Sequence, residues 1–292
     1  MSISAAMVKE LRGRTGSGMM ECKKALAAAD GDMELAIENM RKAGLAKADK
    51  KSGRIAAEGR VAVAQSADTK NAVIIDINCE TDFVAKGDTF KDFVNAAAEA
   101  ILAADVSTVD EAYELKLADG KTIDETRRGL IAKLGENISL RRFQRVASEG
   151  GTGFYLHGEK IGVLVDLAKA DDALAKDVAM HIAASKPVCV SEADVDPELV
   201  EKEKAIFVAQ AEESGKPAEI IEKMIGGRIR KFLAEITLEG QAFVKDDKVT
   251  VGKLVAGKDN KVIRFIRLEV GEGIEKDEGD FASEVMAQIN AV

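Results

Sequence analysis

The sequence predicts an α+β protein, and three observations lead there. Apolar residues in the first 54 positions recur at helical spacing. From Val61 the spacing changes to strict alternation. A strand hairpin followed by an amphipathic helix then occurs twice, once from Val61 and again from Phe154. With 292 residues, 46% hydrophobic and 32% charged, the chain has room for more than one folding unit. Aromatics are only 4% and Trp is absent, so the core must be aliphatic.

Residues 3–54 read as three short helices. Ile3, Met7, Val8 and Leu11 make one apolar stripe, and Met19, Cys22, Leu26 and Ala29 a second; Gly13, Gly16 and Gly18 separate them. Asp30-Gly31-Asp32 is a turn with Asp32 as N-cap, and Met33, Ala36, Ile37 and Met40 follow at i, i+3, i+4 and i+7. Met20 falls off the second stripe, beside Lys23 and Lys24. That placement suits an adaptable contact surface, though a singly exposed apolar residue is ordinary. Arg41–Arg60 is rich in bases and reads as a frayed helix entering a flexible linker. It has no aromatics on which bases could stack.

Val61-Ala62-Val63-Ala64 is a short strand, Ser66–Asn71 a polar turn, and Val73–Cys79 the return strand. Val73, Ile75, Ile77 and Cys79 alternate with Asp76, Asn78, Glu80 and Asp82, which predicts a half-buried strand with one polar face. The pattern runs into Thr81-Asp82-Phe83-Val84. By periodicity Phe83 continues the buried face; it is either a core plug or a side chain offered to a partner. Thr89 and Asp92 make a capping-box-like start for a helix carrying Phe90, Phe93, Val94, Ala97, Ile101 and Leu102. Residues 105–121 are ambiguous. Thr122 and Glu125 form a second capping box, opening a helix with Leu130, Ile131 and Leu134 that Gly135 stops. Ile138–Ala147 is a third strand for the first sheet.

The second copy begins with Phe154-Tyr155-Leu156, turns at His157-Gly158-Glu159-Lys160 and returns as Ile161–Leu167. A helix over Asp171–Ser185 puts Leu174, Val178, His181 and Ile182 on one face. Asp196–Ile236 is an antiparallel helical hairpin joined by Ser214-Gly215-Lys216-Pro217. Strands over Ala242–Lys245, Lys248–Val255 and Val262–Val270 return the chain to the second sheet. A last helix carries Phe281, Val285 and Ile289.

Several functions are disfavoured. A formal charge of −9 argues against nucleic acid as the main partner, because such binding rests on neutralising phosphates. Cys22, Cys79 and Cys189 are widely spaced and read as free thiols of a reducing compartment. No apolar run is long enough for a bilayer, and Met1-Ser2-Ile3-Ser4 does not resemble a signal peptide, so the expectation is a cytoplasmic protein. Gly120-Lys121-Thr122 ends like a phosphate-binding loop, but Leu115 stands where the first Gly belongs. His157, in a turn, reads as surface; His181, on an apolar face, reads as a satisfied core residue. No cofactor is expected. Two alternatives survive on residues alone. Asp76, Glu80 and Asp82 could converge on Mg²⁺ in a hydrolase, without a visible nucleophile. Arg41–Arg60 with Arg141-Arg142 could serve an RNA-associated scaffold.

The stretch Asn78-Cys79-Glu80-Thr81-Asp82-Phe83-Val84-Ala85-Lys86 closely resembles the bacterial elongation factor Ts family. The resemblance runs the full length, through VKELRGRTGSGMMECKKAL at 8–26, GDMELAIENMRKAG at 31–44, LGENI at 134–138, HGEKIGVLV at 157–165, MHIAASKP at 180–187, SGKP at 214–217 and FIRLEVGEGIEK at 265–276. It implies guanine-nucleotide exchange on elongation factor Tu, with no catalytic residue of its own. It implies an intruding segment, Thr81, Asp82, Phe83 and Val84, whose Phe wedges between helices of the GTPase near its Mg²⁺ site. Met19, Met20 and His157 match further contact positions. Phe83 is therefore expected at an exposed loop with Asp82. The implied organisation is a UBA-like helical module at 1–54, a core N-subdomain at 55–148, a core C-subdomain at 149–189 and 239–273, a coiled-coil hairpin at 190–238, and a C-terminal helical module at 274–292. Dimerisation differs within the family and is not carried over.

Overall fold

The computed structural model describes residues 3–15, 17–212 and 217–275. It is a mixed structure of helices and small antiparallel sheets. α1 (Ala5–Thr15), α2 (Met19–Ala28) and α3 (Met33–Lys51) enclose a small core centred on Leu11, Cys22, Leu26 and Ala36. Asp32 starts α3 as predicted, accepting from the Leu35 amide at 3.0 Å. Met19, expected on the buried stripe, is exposed. It is the first residue of α2, and helical side chains lean toward the N-terminus, so no earlier turn lies beneath it.

β1 (Glu58–Gln65) and β2 (Asn71–Cys79) form the first hairpin. Then come α4 (Asp82–Lys86), α5 (Asp88–Ala103), α6 (Val109–Tyr113), α7 (Ile123–Leu134) and β3 (Ile138–Ala147), which pairs with β2. The box at Thr122 and Glu125 opens α7, and Gly135 ends it at φ 81°. The ambiguous stretch contains a capping box of its own, Thr108 with Glu111, which starts α6. The start expected at Thr89 is corrected. α4 ends on Gly87, which is also the N-cap of α5, so Thr89 already lies in the first turn.

Arg41–Arg60 is not a solvated linker. α3 runs to Lys51 and lies along α7, with Gly44 allowing a close approach to Ala132. Arg41 pairs with Glu125, and Lys51 donates to the carbonyl of Gly135. Ala48 joins the core of the first sheet.

The second sheet is built from β4 (Gly151–His157) and β5 (Ile161–Leu167), then α8 (Asp172–Ser185), α9 (Pro197–Glu212), α10 (Ala218–Ile236), β6 (Ala242–Phe243), β7 (Asp246–Thr250), α11 (Val251–Ala256) and β8 (Val262–Glu269). Of the three later strands only β8 joins this sheet, pairing with β5; β6 and β7 pair with each other. The strand expected over Lys248–Val255 breaks at Thr250, whose hydroxyl accepts from the Lys253 amide at 3.3 Å and starts α11. β-Branched residues suggested a strand there, but Val251 and Val255 are one helical turn apart and buried. α9 and α10 pack together. The predicted helix over 275–292 lies outside the described residues except for Glu275, as do residues 214–216 of the hairpin connection. No described helix is long and apolar enough to cross a membrane.

The two sheets lie face to face. Ile74, Val146, Leu164 and Leu268 fill the space between them, with α5 and α7 outside the first sheet and α8 and α11 outside the second. β2 is therefore buried on both faces. This corrects the expected polar face: Asp76 is 0% exposed and Asn78 is buried beside it. Ile74, on the same face, was the signal.

The sheets mirror each other in order, β1-β2-β3 and β4-β5-β8, and in detail. Asp76 lies opposite Arg142, and Asp166 opposite Arg264; each Asp precedes a register shift. The links between sheets are reciprocal. Arg142 donates to the Glu269 carbonyl at 3.1 Å, and Arg264 to the Ala147 carbonyl at 2.9 Å. The Val61 amide donates to the Glu159 carbonyl, and the Thr152 amide to that of Thr69. Such exchange of equivalent positions is what a two-fold relation between like units produces.

Candidate functional site

α4 follows directly on the strand that runs through both cores. Thr81 is its N-cap, with its hydroxyl accepting from the Val84 amide at 3.4 Å. One side of this short helix faces inward: Ala85 is buried and Val84 packs on the first core. Phe83, two residues from Ala85 and so on the opposite side at 100° per residue, is 86% exposed. Phe90 and Phe93, on the next helix, are buried. Phe83 thus lies on a helix rather than in a loop. Leaving a Phe in water forgoes about 1.5–3 kcal/mol of burial, a loss that nothing in the fold of α4 requires.

The surroundings of α4 are charged and ordered. Lys86 pairs with Asp82 at 2.6 Å, and this hydrogen bond holds the Asp82 carboxyl below its ordinary range. Glu136, in the turn after α7, accepts from the Thr81 amide at 3.0 Å and from its hydroxyl at 2.5 Å. Glu80 accepts from the Asn137 amide at 2.6 Å and pairs with Arg54 at 3.2 Å. Arg60 donates to the Ala85 carbonyl at 3.3 Å and to Glu159 at 2.7 Å. Arg60 therefore ties α4 to the β4–β5 turn, which begins just after His157; that residue, expected in the turn, is the last of β4.

His157 is exposed, with its Nδ1 3.2 Å from the Tyr155 hydroxyl. Met20 is 65% exposed at the start of α2, next to exposed Met19. Phe83 and His157 thus stand on elements joined by Arg60, while Met19 and Met20 stand on the helical module, which α3 fastens to α7. Arg60, Glu136, Asn137 and Glu159 were missed as site residues. Their partners are far away in sequence, and only the LGENI segment at 134–138, with Glu136 and Asn137, and HGEKIGVLV at 157–165, with Glu159, offered a sign.

The carboxylates proposed to share Mg²⁺ are not brought together. Asp76 pairs with Arg142 at 3.1 Å inside the sandwich, Glu80 with Arg54, and Asp82 with Lys86 on a different element. Among the described residues no three His, Cys, Asp or Glu side chains are grouped so as to hold a metal ion. Burial raises the Asp76 carboxyl above its ordinary range, against the opposing pull of Arg142 and Arg141. The basic residues of the scaffold alternative are also engaged: Arg41, Arg54, Arg60 and Arg142 are in ion pairs. His181 is the satisfied core residue expected. Its Nδ1 accepts from the Val244 amide at 3.2 Å, so Nε2 carries the proton toward Gln241 at 2.9 Å.

Comparison with known proteins gives a consistent result. The family model described as Elongation factor TS matches residues 80–272. Elongation factor Ts of Methylococcus capsulatus is 60% identical over 292 residues, covering 100% of both chains. Its counterpart in Thioalkalivibrio sulfidiphilus is 62% identical over 293 residues, covering 99% of each. That of Legionella pneumophila is 54% identical over 288 residues, again covering 99% of each.

Proposed function

The chain belongs to the elongation factor Ts family, and from that membership we infer how it works. It is a guanine-nucleotide exchange factor of translation elongation, with no catalytic site of its own. Its partner is the GTPase elongation factor Tu, and Thr81, Asp82, Phe83 and Val84 form the segment that enters the GTPase. The observation that supports this is Phe83, 86% exposed on a short helix whose other side is core.

Release of GDP needs no covalent step. Mg²⁺ and backbone donors of a GTPase hold the nucleotide phosphates. A factor that binds the nucleotide-free form more tightly must weaken nucleotide binding by the same factor. Phe83 is suited to this because an apolar ring gains only where it is enclosed, and an opened site would enclose it. Asp82, half-exposed beside it and paired with Lys86, brings a carboxylate toward a site that holds phosphate and metal. Met19, Met20 and His157 extend the contact over two further elements, with Met adapting its shape to the partner.

The same reading assigns α1–α3 to a UBA-like module and α9–α10 to a coiled-coil hairpin. The bounds are those implied by the family: 1–54, 55–148, 149–189 with 239–273, 190–238 and 274–292. Action on a translation GTPase also fits a cytoplasmic protein without a membrane or nucleic-acid partner. The test is release of labelled GDP from elongation factor Tu. Addition of the full chain is expected to accelerate it, and Phe83→Ala to remove most of the acceleration. Unchanged release with the variant would reject the wedge.

A further inference from the structure

The junction that carries α4 is closed by two reciprocal bonds. Glu136 accepts from the amide of Thr81, and Glu80 accepts from the amide of Asn137. Segments 80–81 and 136–137 thus each offer a carboxylate to the other's backbone. The Thr81 hydroxyl adds a third link, donating to Glu136 at 2.5 Å while accepting from the Val84 amide. The Thr81 carbonyl accepts from the Cys79 thiol at 3.2 Å and from the Ala85 amide at 3.2 Å. Asn137, buried, donates to the carbonyls of Ser52 and Arg54 at 3.3 and 2.8 Å, fastening the same junction to the segment after α3. Every polar atom of Thr81 is engaged, although the residue itself is exposed.

An isolated helix as short as α4 is unstable in water. Its geometry must come from outside, and Glu136 contributes by holding two donors of its N-cap residue, Thr81. We propose that Glu136 is a positioning residue for exchange: it sets the direction in which Phe83 projects and keeps α4 from fraying before the GTPase is met. A carboxylate bonded to two donors is stronger than neutral hydrogen bonds, which suits a solvent-facing clamp. A ring held ready in one orientation avoids ordering costs on binding. The inference rests on Phe83 being the intruding group.

The test uses labelled-GDP release from elongation factor Tu with the full chain and with Glu136→Ala, Glu136→Gln, Phe83→Leu and the double variant Glu136→Ala/Phe83→Leu. Loss of the charge-assisted pair is expected to slow exchange about tenfold in Glu136→Ala. Glu136→Gln should recover part of it, since its amide oxygen can still accept one donor. In the Phe83→Leu background most of the effect of Glu136→Ala should vanish, because both changes act through one ring. Amide exchange at Thr81 and Val84 should rise in Glu136→Ala while thermal unfolding stays cooperative. Equal slowing in both backgrounds, or unaltered protection at Thr81, would overturn the positioning role and leave the wedge standing. Unchanged release with Phe83→Leu would overturn the wedge, and the inference with it, whatever the protection at Thr81. Should Glu136→Ala not fold, the same cycle with Glu136→Gln decides.

Discussion

Asp76 and Arg142 form an ion pair at 3.1 Å across β2 and β3, with the carboxylate wholly enclosed between the two sheets. Its counterpart, Asp166 with Arg264 at 3.0 Å, occupies the matching position of the other sheet but lies nearer the surface, with Arg264 about half exposed. The two arginines also make the reciprocal bonds that join the sheets, so each pair fixes both a strand register and a sheet contact.

The two pairs should differ in cost when broken. Removing one partner of a buried pair leaves the other uncompensated; allowing for the partial exposure of Arg142, Asp76→Asn should destabilise by about 2–3 kcal/mol. Asp166→Asn should cost about 1 kcal/mol, because water reaches Arg264. Urea unfolding of both variants checks this, and the reverse order would contradict the two burial environments.

Phe83→Ala should leave stability within about 0.5 kcal/mol of the parent, as expected for an exposed position. Exchange should fall severely in the same variant. Thermal unfolding beside the GDP-release assay separates the two effects. A large loss of stability would mean that Phe83 is part of the core in solution.

Burial holds His181 below its ordinary pKa of 6.5. The unfolded chain therefore takes up a proton first as pH falls. Stability from the neutral imidazole is present above about pH 6.5 and is lost progressively below it. His181→Asn should flatten this slope in the acid range. Denaturant midpoints measured between pH 5 and pH 8 (about the His titration range) are the readout.

The thiols should react in a fixed order. Cys189 is partly exposed, whereas Cys22 and Cys79 are buried. Burial, with Glu136 and Glu58 nearby, pushes the Cys79 thiol up to about 12. A thiol reagent at mildly alkaline pH should modify Cys189 in the folded chain, and Cys79 only after unfolding, because the thiolate is the reactive form. Mass spectrometry of the labelled protein reads the order directly. Early labelling of Cys79 would show that the α4 junction opens.

Local signals in the sequence determined much of this protein. The capping box at Thr122, the N-cap at Asp32, the stop at Gly135, the third strand at Ile138–Ala147 and the repeated hairpin-then-helix order all rest on interactions within a few residues, which a linear pattern encodes. The family resemblance likewise needed only the order of residues, and it implied an exposed Phe83 where periodicity alone would have buried the ring. Tertiary structure decided the rest. β2 has no solvent face because a second sheet lies on it, and that sheet is far along the chain. Asp76 is an inner ion pair rather than a ligand because β3 brings Arg142 opposite it. Phe83 leaves the strand's alternation because the chain turns into a helix at Thr81, where the period changes from two to 3.6 residues and the ring swings outward. That turn is held by Glu136 and Asn137, and such a clamp between distant segments becomes visible only when the chain is folded.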